Sequence, residues 1–168
     1  MTQFTHGHTP PLLVRASQAE TLGVAPTTIQ LLADGDPHGG ISIARSRLAK
    51  GTDGPPPHYH TGSPEIFFII DGGLHVLCGQ QVLTLGTGDY LLVPPNTPHA
   101  FATPHDSGVD LLFIMPGVER FAYFRLGDRI ARGHASPQEL LATQDRFDNH
   151  FLKSEIWDAH RHAEGSHP

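Results

Sequence analysis

Apolar positions recur at every second residue through much of the chain between residues 28 and 115. Ile41, Ile43, Arg45 and Arg47 alternate with Ser42, Ala44, Ser46 and Leu48, the pattern of a strand whose two faces meet different surroundings. Asp71-Gly72 separates the apolar runs 66–70 and 74–78, and this pair readily supplies positive φ, so it predicts a hairpin. Further turns are expected at Gly79-Gln80 and Gly86-Thr87-Gly88. Pro94-Pro95-Asn96-Thr97-Pro98 then breaks one strand before His99 starts another. About ten short strands with such punctuation imply an all-β sandwich or barrel.

After Pro116 the period becomes helical. Val118, Phe121, Ala122 and Arg125 fall on one helical face, with Gly133 as the stop. Ser136-Pro137-Gln138-Glu139 reads as a capping box with proline at the first helical position, opening a helix that carries Leu140, Leu141 and Phe147. The expected organisation is a flexible N-terminus over 1–10, a β-barrel over 11–116, two helices within 117–158, and a flexible tail over 159–168. Phe151, Ile156 and Trp157 would dock the helical part on the barrel, because so much apolar surface is costly in water.

Composition narrows the function. A chain of 168 residues supports one domain with its own core, and its Gly 18 and Pro 15 are spread between apolar runs rather than gathered in a linker. The net charge of −6, with no run of Lys or Arg, argues against a nucleic-acid surface or a polybasic membrane patch. No apolar run approaches the roughly 20 residues that span a bilayer. Cys78 is the single cysteine and cannot close an internal disulfide, so it reads as a small core hydrophobe in a reducing, cytoplasmic setting.

The candidate chemistry lies in His58, His60, Glu65 and His99. Residues i and i+2 of a strand share a face, so His58 and His60 stand side by side while Tyr59 points away. The segment Thr61-Gly62-Ser63-Pro64 can fold the chain back and bring Glu65 to them. Three imidazoles and a carboxylate suit one divalent cation of the group Fe, Ni, Mn, Co, Cu or Zn, and leave open positions on an octahedral ion. Alternation from Glu65 places Phe67 and Ile69 on the metal-facing side, and alternation from His99 places Phe101 there. Phe113 and Met115, with Leu111, share a face that can close the same cavity. Together they predict an apolar pocket for a small aromatic or hydrophobic substrate. A sugar phosphate is a poor fit, since no basic cluster or glycine-rich cradle accompanies the site. The remaining histidines have no spacing that points to a site; those near the termini, His6, His8, His160, His162 and His167, read as solvated.

These residues resemble a family signature. Gly51 or Gly54, His58-Tyr59-His60, four intervening residues, Glu65, six more and Gly72 resemble the first cupin motif; Gly88, five residues, Pro94 and then His99 resemble the second. Asn96 stands where the second motif usually has glycine, and Thr103 where it often ends in asparagine. The resemblance implies a jelly-roll barrel with a short helical tail, a homodimer, and His58, His60, Glu65 and His99 as ligands of one metal. The lead-in Pro55-Pro56-Pro57-His58, the run Glu65-Ile66-Phe67-Phe68 and the segment Pro116-Gly117-Val118-Glu119-Arg120-Phe121 look like single-domain bacterial cupins of the quercetin 2,3-dioxygenase type. That likeness implies an oxygenase that adds dioxygen to an aromatic or polyphenolic enol, with Glu65 accepting the substrate's hydroxyl proton. Similar chains act as redox-neutral cyclases in aromatic polyketide pathways, and others bind small molecules without catalysis.

Overall fold

The computed structural model describes residues 10–35 and 40–165. His6, His8, His38 and His167, and residues 1–9 of the expected flexible N-terminus, lie outside the described residues. The strands are β1 (Glu20–Val24), β2 (Thr27–Ala33), β3 (Ile41–Leu48), β4 (His58–Tyr59), β5 (Glu65–Cys78), β6 (Gln81–Gly86), β7 (Tyr90–Val93), β8 (His99–Ala102), β9 (Val109–Pro116) and β10 (His150–Phe151). All their pairings are antiparallel. Four helical pieces complete the chain: α1 (Phe121–Ala131), α2 (Pro137–Ala142), α3 (Gln144–Phe147) and α4 (Glu155–Gly165).

The architecture is an all-β jelly roll with a helical tail. One sheet runs β1-β2-β3-β9-β5-β7 and the other runs β6-β5-β8-β4-β10, so β5 belongs to both. This corrects the hairpin expected at Asp71-Gly72, since the chain bends there without reversing. Gly72 has a φ of 86°, and a Cβ on it would stand 2.1 Å from the Gly108 carbonyl oxygen. Positive φ thus serves a corner: the ladder with β9 shifts register between Ile69 and Asp71, and the strand then enters the second sheet.

Alternation sorts the side chains. Phe67, Ile69, Leu111, Phe113 and Met115 face inward, and Phe67, Phe101 and Phe113 meet with ring centroids 5.1 to 5.7 Å apart. Each fully buried phenylalanine is worth about 1.5–3 kcal/mol of hydrophobic stabilisation. On β3 the buried face is the small one, Ser42, Ala44 and Ser46, while Ile41 and Arg47 face outward. Arg45 and Arg47 spend their charge on the outside of the sheet, where both donate to Asp110 of β9.

The tail holds more elements than the two helices expected. Glu139 accepts the Ser136 N–H at 3.2 Å, as the capping pattern requires, but the helical segment after it breaks at Thr143 and ends at Asp148, whose φ is 46°. Trp157 packs with Leu77, Ala100 and Ala102 on the outer face of the second sheet. Phe151 is half-buried, with its ring 6.1 Å from His58, whereas Ile156 is 38% exposed. Residues 159–165, expected within a loose tail, are the second half of α4, which Trp157 anchors to the barrel.

Candidate metal centre and its cavity

β4, β5 and β8 place the four candidate ligands. His58 pairs directly with His99 across the β4–β8 ladder, and Glu65 heads β5. The return from His60 to Glu65 is fastened by Asp148, whose carboxylate accepts the Thr61 N–H at 2.8 Å, the Gly62 N–H at 2.7 Å and the Thr61 hydroxyl at 2.7 Å. Asn96 takes the positive φ, 62°, that its turn requires, and its N–H donates to the His60 carbonyl. Thr103, in the asparagine position of the second motif, is fully buried; its hydroxyl donates to the Ala49 carbonyl at 2.6 Å and accepts the Thr52 N–H at 2.8 Å. Motif departures at both positions therefore leave the site's frame intact.

The backbone fixes the orientation of all three imidazoles. The Nδ1 of His58 faces the Pro56 carbonyl at 2.9 Å, that of His99 faces the Thr97 carbonyl at 2.9 Å, and that of His60 faces the Asp148 carbonyl at 2.5 Å. A carbonyl can only accept, so each Nδ1 carries its proton and each Nε2 is the free nitrogen. The Nε2 atoms lie 2.7 Å (His99), 3.1 Å (His60) and 4.0 Å (His58) from Glu65 Oε2. All four residues are buried, and their ligand atoms lie within 4.8 Å of one another.

Three neutral imidazoles would turn lone pairs toward a buried carboxylate, a costly arrangement unless a proton or cation stands between them. Burial, reinforced by neighbouring His99, pushes His58 down to about 3, so its ring is neutral. Burial alone would raise the Glu65 carboxyl, but the His60 and His99 contacts outweigh it and hold the group well below the usual carboxylate range. Burial would likewise lower His99, and Glu65 reverses the sign. The donor set, three Nε2 atoms and one carboxylate oxygen, fits a borderline divalent cation, as in a cupin metal site.

A cavity of about 290 Å³ adjoins this cluster, with His58, Glu65, Phe101 and Phe113 in its wall. The small inner residues of β2 and β3, including Thr28 and Ser46, leave that space, and α1 closes its far side with Tyr123 and Phe124. Of the pocket residues expected from alternation, Phe101 and Phe113 line the cavity. Phe67, Ile69 and Met115 are buried but do not line it. Phe67 instead supports the cluster from behind, edge-on to His99 at 6.5 Å between ring centroids.

The tail adds polar groups to the same wall. Arg120 is buried, with its guanidinium 4.3 Å above the Tyr123 ring and its Nη atoms donating to the Phe147 carbonyl and Asn149 Oδ1. Arg120 Nε and Asn149 Nδ2 are buried without a hydrogen-bond partner in the protein. Burial pushes the Tyr123 phenol up to about 12, so it keeps its proton. Arg120 lies in the Pro116–Phe121 segment noted in the sequence, but Tyr123, Asp148 and Asn149 carry no spacing to the histidines.

Residues 44–115 match the model of the family described as Cupin domain. Quercetin 2,3-dioxygenase of Bacillus subtilis (strain 168) is 31% identical over 101 residues, which is 60% of this chain and 29% of that protein, so the chain spans less than a third of its relative's length. The polyketide cyclase RemF from Streptomyces resistomycificus shares the fold at a TM-score of 0.53 and 19% identity, covering 64% of this chain and 80% of that one. An RmlC-like cupin from Shewanella frigidimarina NCIMB 400 gives a TM-score of 0.54 at 19% identity, covering 66% and 93%. The motif spacing, the jelly roll and the match over residues 44–115 agree, and that part of the chain resembles the cupin superfamily, with quercetin 2,3-dioxygenase among its relatives.

Proposed function

We propose that the chain is a metal-dependent oxygenase, quercetinase-like, that adds dioxygen to an aromatic or polyphenolic enol. The observation that carries this reading is the convergence of three Nε2 atoms on Glu65 beside an apolar cavity that His58 and Glu65 line. The likeness to quercetin 2,3-dioxygenase supports it. His58, His60, Glu65 and His99 would hold one divalent ion, which when bound supplies Lewis acidity and a template for the substrate oxygen and dioxygen. The rest falls to the chain's own residues. Phe101 and Phe113 receive the aromatic body, and the wall excludes water from it. Glu65 takes the hydroxyl proton as the enol ionises. Arg120 Nε and Asn149 Nδ2, each lacking a partner, donate to polar atoms of the bound molecule and stabilise its negative charge.

Oxygen uptake by metal-loaded protein, screened across flavonols and other polyphenols, tests the reading directly. Uptake in proportion to product supports it; turnover without uptake under anaerobic conditions rejects it. A redox-neutral cyclase or isomerase is the second reading, favoured by the pairing of a buried guanidinium with a carboxylate on one cavity wall. Those two groups suffice to move a proton between carbon and oxygen. Binding of the same compounds with neither uptake nor turnover would point to a non-catalytic binding cupin.

A further inference from the structure

A second ligand cluster lies on the opposite face of the second sheet. His75 of β5 points outward, as does Leu77 two residues on, and α4 lies over both. His160 and Glu164, one helical turn apart on α4, meet it there. His160 Nε2 is 3.1 Å from His75 Nδ1, and Glu164 Oε2 is 3.5 Å from that same nitrogen. The three ligand atoms lie within 4.8 Å of one another. The sequence places His75 in an ordinary strand and His160 in a polar terminus, so nothing in the spacing joins them.

We propose that His75, His160 and Glu164 form a second metal site, for zinc or a similar borderline divalent cation, that clasps α4 to the barrel. The geometry suits a tetrahedral ion. Bonds of about 2.0–2.1 Å set ligand atoms about 3.3–3.4 Å apart, and the two measured separations bracket that value. The donors are also prepared for it. Glu164 Oε2 is buried and makes no hydrogen bond, although Arg161 Nη1 stands 3.8 Å away. Arg161 forms an ion pair through its Nε with Asp53 at 2.8 Å, and its Nη1 is likewise buried without a hydrogen bond. Trp157 stacks on the His160 ring, with centroids 5.6 Å apart, and sets its plane. Three protein ligands leave the fourth position to water.

The full-length chain should be dialysed against zinc buffered by a competing chelator, and the bound metal counted. Wild type is expected to hold two zinc ions per chain, and His160→Ala and His99→Ala one each, the latter made throughout together with His60→Ala so that only two ligands remain in the first cluster. Losing a ligand should weaken the second site by more than the roughly 10- to 100-fold that losing an outer-shell partner costs. Trp157 is the only tryptophan of the chain, so its emission reports locally. It should respond to zinc in His99→Ala and stop responding when His160→Ala is added. Glu164→Gln, which changes no backbone and little volume, should lower the affinity in the same direction and serves if His160→Ala fails to fold. A single zinc that disappears in His99→Ala would overturn the proposal. So would a second zinc that persists at full affinity in both His160→Ala and Glu164→Gln, because it would belong to other histidines.

Discussion

At the scale of single residues, Glu65→Gln separates holding a cation from moving a proton. The substitution keeps the size and removes the negative charge and most of the basicity. A residue that only ligates should lose about 10- to 100-fold in affinity or activity, and added metal should restore part of the rate. A residue that also accepts the proton should lose a further factor of roughly 10² to 10⁴ at saturating metal. Turnover measured against metal concentration decides, and full recovery by excess metal leaves Glu65 as a ligand alone. His58, His60, Glu65 and His99 were legible in the sequence because strand geometry converts their spacing into a shared face. Arg120 and Asn149 were not, because they reach the cavity through the folding of the tail, and no local period encodes that path. Phe67 shows the limit of alternation. It gives the correct face of β5, but depth within the core decides which residue on that face meets a cavity.

At the scale of elements, the turn chemistry of β5 was visible while its geometry was not. Asp-Gly announces positive φ at Gly72, but the strand bends there rather than reversing, with the Gly108 carbonyl packed close against it. Gly72→Ala should therefore destabilise the fold by about 1–3 kcal/mol from backbone strain, with the clash against Gly108 adding to it; urea denaturation measures the loss. The β3–β9 pairing has a pH signature. The Arg45 hydrogen bonds hold the Asp110 carboxyl below the usual range, against the upward push of burial and with help from Arg47. Its folded value lies below its unfolded one, so the stabilisation is present above the unfolded value of about 3.9 and is lost as pH falls through the folded value. Because the partners are partly exposed, it amounts to about 1 kcal/mol. Asp110→Asn should lower stability by that amount at pH 7 and flatten the acid limb of the stability profile.

At the scale of the molecule, the four-residue cluster ties β4, β5 and β8 together from inside the barrel, so a bound cation stabilises the whole fold by mass action. With free metal a hundredfold above its dissociation constant, the gain is about 2.7 kcal/mol. Stripping metal with a chelator should then lower the melting temperature by about 5–10 °C, and re-addition should restore it. Calorimetry of the two forms checks this, and an unchanged melting temperature would mean that the cluster was not loaded.

The continuity of β5 also governs how a guest gets in. Two sheets that share a strand cannot part like the covers of a book, because every such opening would have to tear β5 itself. The wall outside both sheets is α1, which covers the cavity with side chains and is fastened to β1 by Asp128 accepting the Gly23 N–H and Arg125 pairing with Glu20 rather than by a strand ladder. Admission to the chamber is then set by the helix that follows the barrel, and changes of guest preference can accumulate there while the barrel stays as it is.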